Sequence, residues 1–185
     1  ATPATALATA GGYAVASIQY RARTGITRAS QLADVKAAVR WLRANADAHS
    51  LDAAHIGVFG HDVGGLLAAL AGTTGDMPAF EGDGGSAGQS SRVQAVVDLA
   101  GPMTAGDLNP ISQVSADDAP TLIVHGSADA TVSTRESQSL IAALKVAGVT
   151  ATLDMPFAAT HDLGELLTPV VMQGITSFFD QHLKG

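Results

Sequence analysis

The sequence predicts a three-layer α/β fold around a mostly parallel sheet, and three observations carry that prediction. Short β-branched runs alternate with amphipathic stretches along the whole chain, the pattern of successive βαβ units. The 185 residues suit one domain spanning 1–185, and no internal repeat divides them. Hydrophobic residues make up 46% and charged residues only 15%, which supplies a sizeable core and excludes a disordered chain or a charged coiled coil.

The elements read off in order. The chain opens on an alanine-rich, helix-like stretch, and residues 13–19 form the first strand candidate. Val35, Val39 and Leu42 then make an apolar stripe, with Lys36, Arg40 and Arg43 on the other face, so this segment is a helix. Residues 55–61, 93–99, 121–125 and 150–155 are the remaining strand candidates, giving at least five parallel strands. Residues 82–91, rich in Gly and Ser, and residues 101–120 read as loops, the second too short for a helical cap. Ser133 and Glu136 have capping-box spacing ahead of the stripe Leu140, Ile141 and Leu144, and Gly148 closes that helix. A last helix starts at Thr168, with Pro169 in its first turn and Ile175, Phe178 and Phe179 on its buried side.

Composition narrows the partners. Ten Lys and Arg against seventeen Asp and Glu give a net charge of −7, the wrong sign for a phosphate backbone or an anionic membrane. Aromatics are 4%, which leaves few platforms for stacking bases, so nucleic acid is excluded as a partner. The chain has no cysteine, hence no disulfide, thiolate metal site or cysteine nucleophile. No histidine pair has H-x-x-x-H spacing, and neither a metal nor a cofactor is expected. Residues 1–20 are uncharged but carry threonines, glycines and no basic start, which argues against a signal peptide or membrane span. The missing initiator Met suggests that something upstream has been removed. Oligomeric state and compartment are not legible.

The chemistry concentrates in IGVFGHDVGG at 56–65, a strand running into a tight turn and a helix. Its G-x-D-x-G core, Gly60 to Gly64, has the form of a nucleophile elbow, in which small residues flank a strained centre that projects its side chain above the sheet. Asp62 holds that centre. The bland alternative is a glycine-rich turn with Asp62 as an N-cap. Asp129 follows the fourth strand candidate and His161 the fifth, so both sit at the carboxyl edge where parallel sheets bind ligands. An acid can fix the tautomer of an imidazole that acts as general base, and the order elbow, acid, histidine is that of an α/β-hydrolase triad.

Other candidates are weaker. Gly84-Gly-Ser-Ala-Gly88 matches G-x-S-x-G literally, but Ser86 sits in a polar loop with no strand before it and no helix after. Asp98, near the end of the third strand candidate, is a reserve acid. His61 and His125 sit at strand ends and could line the site, although a hydrogen-bonded structural role is the stronger reading, while His49, His55 and His182 read as solvated.

Five segments resemble the esterase side of the α/β-hydrolase superfamily, near the acetylesterases and feruloyl-esterase-like enzymes. They are GGYAVASIQYR at 11–21, ADVKAAVRWLRANA at 33–46, IGVFGHDVGG at 56–65, SSRVQAVVDLAGP at 90–102 and LIVHGSADATV at 122–132. The resemblance implies a serine at position 62, an acid at Asp129 and a base at His161, acting on a small-molecule ester. Two departures stand out. Asp62 replaces the serine, and the family's preceding strands and His-Gly-Gly-Gly-like oxyanion loop have no counterpart in residues 1–185. The backbone N–H of Val63 remains as one oxyanion donor. In the family a strand lies between the counterparts of 13–19 and 55–61, so these two segments are expected to pair directly here.

Three functions compete. The first is hydrolysis of carboxylic esters on a triad with Asp62 at the elbow. The second takes Asp62 as a nucleophile on an sp³ carbon, as in haloalkane dehalogenases and epoxide hydrolases. Against it, position 63 is Val, the single Trp is Trp41 on a surface-type helix, and no cap fits between the third and fourth strand candidates. The third is a catalytically degenerate hydrolase fold.

Overall fold

The structure, a computed structural model, describes residues 3–184. Four parallel strands form one sheet in chain order: β1 (Gly57–His61), β2 (Ala95–Leu99), β3 (Thr121–Val124) and β4 (Ala151–Asp154). Six α-helices accompany them: α1 (Pro3–Ala10), α2 (Arg28–Ala44), α3 (Val63–Thr74), α4 (Thr134–Val146), α5 (Leu163–Leu166) and α6 (Pro169–Leu183). Alternation along the strands divides the core. Val58, Val96 and Ile123 face Leu32, Val35 and Val39 of α2, the apolar residues of α3, and Leu140 and Leu144 of α4. Ala95, Val97, Leu99, Leu122 and Val124 face Leu7, Leu166, Val171, Ile175 and Phe179. Strands covered on both faces in this way are the expected home of continuous Val, Ile and Leu runs.

The register levels the carboxyl ends. His61 pairs with Leu99, Leu99 with Val124, and Val124 with Asp154, so the residues after each strand emerge along one edge. Asp62, Asp129 and His161 each follow a strand at that edge.

Residues 13–19 do not form the expected strand. Among the described residues β1 pairs with β2 alone, so the sheet has four strands rather than five, and the expected pairing of 13–19 with 55–61 is not made. The segment is held by side chains instead. The Tyr13 hydroxyl donates to Asp180, Arg21 donates to Asp34 from its backbone N–H and its guanidinium, and Gln31 donates to the Arg21 carbonyl. Strand propensity becomes a strand only where a neighbouring edge completes the ladder.

Two local expectations also change. Lys36 and Arg40 are not solvated but 0% and 4% exposed. The Lys36 ammonium donates to Glu81, Ser91 and the Gly75 carbonyl, and Arg40 pairs with the same Glu81 while donating to the Gly84 carbonyl. The basic face of α2 thus ties down the 82–91 loop. At α4, Ser133 caps the Arg135 N–H, and Glu136 does not complete a capping box because its carboxylate accepts from the N–H and hydroxyl of Thr104. The last helix starts as expected, with Thr168 accepting from the Val171 N–H. No described helix is long and apolar enough to cross a membrane.

Candidate active site

Gly60 and Gly65 make the turn after β1 possible. A β-carbon on Gly60 would overlap the Gly64 carbonyl, and one on Gly65 would overlap the Asp98 carboxylate. Between them Asp62 takes φ 55° and ψ −122°, a conformation that L-residues rarely adopt. Its backbone is pinned on both sides, the N–H donating to Leu99 at 3.0 Å and the carbonyl accepting from Leu66 at 3.0 Å. The carboxylate makes no capping bond to α3, so the simple N-cap reading does not hold. It stands 47% exposed above the sheet. Val63 is the first residue of α3, a position whose N–H has no acceptor within the helix.

The acid and the histidine arrive on two loops laced together. The Ala128 N–H donates to Ala159, the Ser127 N–H to Pro156, and the Ala158 N–H to the Ser127 hydroxyl. Gly126 lies so close to the carbonyls of Ala159 and Thr160 that a β-carbon there would overlap both. His161 is fixed between Thr160, which donates to Glu165, and Asp162, which caps α5.

The result is a line of three side chains. His161 Nδ1 lies 2.7 Å from Asp129 Oδ2, and His161 Nε2 lies 3.5 Å from Asp62 Oδ1. The Asp129 carboxylate is closed to solvent, and its other oxygen accepts from the N–H groups of Thr131 at 2.8 Å and Val132 at 2.9 Å. Burial pushes its pKa up, but the Val132 N–H, the His161 ring and the Thr131 N–H outweigh burial and hold it below the usual carboxylate range. An ionised acid on one ring nitrogen leaves the other nitrogen facing the elbow, which is the geometry for moving a proton at Nε2.

The remaining sequence candidates separate. His61 does line the site: its ring centroid is 4.9 Å from that of His161, and its Nε2 donates to the His161 carbonyl at 3.0 Å. His125 does not. It is 0% exposed and lies behind Asp129, with Nε2 3.2 Å from Asp129 Oδ2. Asp98 is buried under the elbow, where one oxygen accepts from the Gly101 N–H and the other has no partner among the described residues. Burial pushes its pKa up to about 7, against the Gly101 bond that lowers it. Ser86 sits in the exposed 82–91 loop, where its carbonyl closes a turn with the Gln89 N–H. The sequence reading missed Ser137, a buried serine on α4 that contacts His125. It also missed the turn that seats Asp129, although Asp-x-Thr is a recognisable Asx-turn spacing.

A parallel sheet with helices on both faces and a strained elbow at its carboxyl edge defines the α/β-hydrolase fold. Residues 2–108 and 103–144 match the BD-FAE family, and the chain belongs to it. Among characterised proteins it is similar to Esterase LipC of Mycobacterium tuberculosis, 28% identical over 72% of this chain and 41% of that protein. The chain spans about two fifths of the length of the curated relatives it matches. Among solved structures it resembles a truncated form of a carbohydrate esterase from gut microbiota, at 28% identity and a TM-score of 0.83, covering 91% of this chain and 74% of that one. It also resembles an acetyl ester-xyloside bifunctional hydrolase from Caldicellulosiruptor lactoaceticus, at 25% identity and a TM-score of 0.77, covering 88% and 69%.

Proposed function

We propose that the chain hydrolyses carboxylic esters, with Asp62 in the nucleophile seat, His161 as the proton carrier and Asp129 as the acid that orients it. The single observation behind this reading is the alignment of Asp129, His161 and Asp62 at 2.7 and 3.5 Å on the carboxyl edge of the sheet. Esters borne by carbohydrates are the favoured substrates, because similar structures include a carbohydrate esterase and an acetyl ester-xyloside hydrolase.

The chemistry balances in two steps. With His161 as the imidazolium, Nδ1–H on Asp129 and Nε2–H toward the elbow, an ionised Asp62 oxygen attacks the acyl carbon, the bond to the alcohol oxygen breaks, and the alcohol leaves with the Nε2 proton. This produces a mixed anhydride between Asp62 and the acyl group. A water then gives a proton to His161 and its oxygen to the anhydride carbonyl, releasing the carboxylic acid and restoring Asp62. The Val63 N–H supports the oxyanion in both steps. A carboxylate is a good leaving group, so the first tetrahedral intermediate partitions back toward substrate, and slow turnover is expected of the chain as it stands.

Asp62 itself favours a second reading, attack on an sp³ carbon to give an alkyl ester. Such a reaction needs a donor for the departing halide or epoxide oxygen. Trp41 lies tilted against His49 on the outside of α2, and the Tyr13 hydroxyl is committed to Asp180. Residues 101–120 form loops and one short 3₁₀ turn rather than a cap.

Assaying the chain and a His161→Ala variant on short aryl esters, haloalkanes and epoxides tests the proposal. Ester cleavage that disappears with His161 is expected. Halide or diol release without ester cleavage would replace the proposal with the second reading.

A further inference from the structure

His125 is a fully buried histidine that the mechanism above does not use. Its Nε2 faces two oxygens, the Val132 carbonyl at 3.1 Å and Asp129 Oδ2 at 3.2 Å. Neither can donate when Asp129 is ionised, so Nε2 must carry a proton. Its Nδ1 lies 2.7 Å from the Ser137 hydroxyl, which can donate to it. Ser137 is itself 0% exposed on α4, so both partners are held by packing.

Asp129 Oδ2 therefore stands between two imidazoles, His161 on the solvent side and His125 on the core side. With the Thr131 and Val132 N–H groups on Oδ1 and the His161 ring on Oδ2, the carboxylate accepts from three donors, and the His125 Nε2–H, bonded to the Val132 carbonyl, lies against Oδ2 at 3.2 Å. Two backbone N–H groups fix one oxygen but leave the carboxylate free to swing about the Cβ–Cγ bond. The His125 N–H, held by the Val132 carbonyl and packed against the buried side of Oδ2, blocks that swing and leaves Oδ2 facing His161 Nδ1.

We propose that His125, backed by Ser137, is a positioning residue that locks the Asp129 carboxylate and through it the ring orientation and tautomer of His161. The inference rests on the ester-hydrolase reading for its catalytic consequence, but the orientation itself can be read without turnover. The chain Ser137, His125, Asp129, His161 and Asp62 runs from α4 to the elbow, each link a side chain in contact with the next. Outer partners that orient a functional histidine cost about 10- to 100-fold in activity when removed, in the metal sites where they are best measured.

The test uses the full chain and the variants His125→Leu, His125→Gln and Ser137→Ala. The nitrogen shifts of the His161 and His125 rings are measured by long-range ¹H–¹⁵N NMR, and kcat and KM for a short aryl ester are measured in the Asp62→Ser background. In the parent, the neutral His161 ring is expected to carry its proton on Nδ1 and the His125 ring on Nε2. His125→Leu should lose the uniform Nδ1–H state of His161 and lower kcat by about tenfold to a hundredfold with KM within about twofold. His125→Gln returns an N–H near the Nε2 position and should recover the His161 tautomer and most of kcat, a rescue that simple cavity filling does not produce. Ser137→Ala should move both readouts in the direction of His125→Leu, by less.

An unchanged His161 tautomer in folded His125→Leu would overturn the proposal. If that variant fails to fold, an unchanged tautomer in Ser137→Ala would overturn it. Absence of ester turnover in every protein would remove the hydrolase reading, while the ring-nitrogen measurements would still decide the positioning role.

Discussion

His161 Nδ1 and Asp129 Oδ2 meet at 2.7 Å, although 32 positions separate them in the chain. Asp98, the other acid at this edge, bonds to the Gly101 N–H and not to His161. Asp129→Asn should therefore lower ester turnover by about 10³- to 10⁴-fold, measured in the Asp62→Ser background, by presenting the wrong partner to the His161 ring. Asp98→Asn should change it by less than about tenfold. Comparable losses in the two variants would break the assignment of the acid.

Asp98 carries a stability prediction of its own. Burial raises its folded pKa to about 7, above its ordinary value of 3.8. A carboxyl that holds its proton more tightly when folded contributes stability below its unfolded pKa, and that contribution is lost as pH rises through the folded value. Asp98→Asn cannot ionise and keeps an oxygen for the Gly101 N–H. It should stabilise the protein at pH 8 by a few kcal/mol relative to its effect at pH 4, on the order of one kcal/mol for each pH unit of separation. Urea denaturation at the two pH values measures this, and an equal effect at both would contradict it.

Glu81 is the anion between Lys36 and Arg40. Glu81→Ala leaves two buried cations without it and should cost about 3 kcal/mol in urea denaturation. Asp117→Ala, which removes an exposed, solvent-screened partner of Arg92, should cost far less than Glu81→Ala in the same measurement. Burial opposes the ionised Glu81, but Lys36, Ser91 and Arg40 together depress its pKa. Its contribution is accordingly present at neutral pH and lost as pH falls through the acidic range.

The layers and the edge were legible in the sequence because both depend on local pattern. β-Branched runs marked all four strands, and an elbow, an acid and a histidine, each after a strand, sit where parallel strands end. What was not legible shares a cause. Residues 13–19 have strand composition, but a strand needs a neighbour's edge, which composition cannot report. Lys36 and Arg40 stand opposite the apolar stripe, but their burial was not legible because Glu81 lies more than forty positions away. His125 could be read as lining the site or as hydrogen-bonded structure, because its chain position next to the edge says nothing about Ser137 behind it. Each depends on contacts distant in the chain, where periodicity carries no signal.

Asp62→Ser tests the central claim most directly. The serine would sit at the same strained elbow with its hydroxyl toward His161 Nε2, and its acyl-enzyme would be an ordinary ester rather than an anhydride. Turnover of a short aryl ester should rise by about a hundredfold or more over the parent chain and vanish again when His161→Ala is added. Ester turnover that stays flat or falls on Asp62→Ser, in a variant that remains folded, would contradict the assignment of this edge as an ester-hydrolysing site.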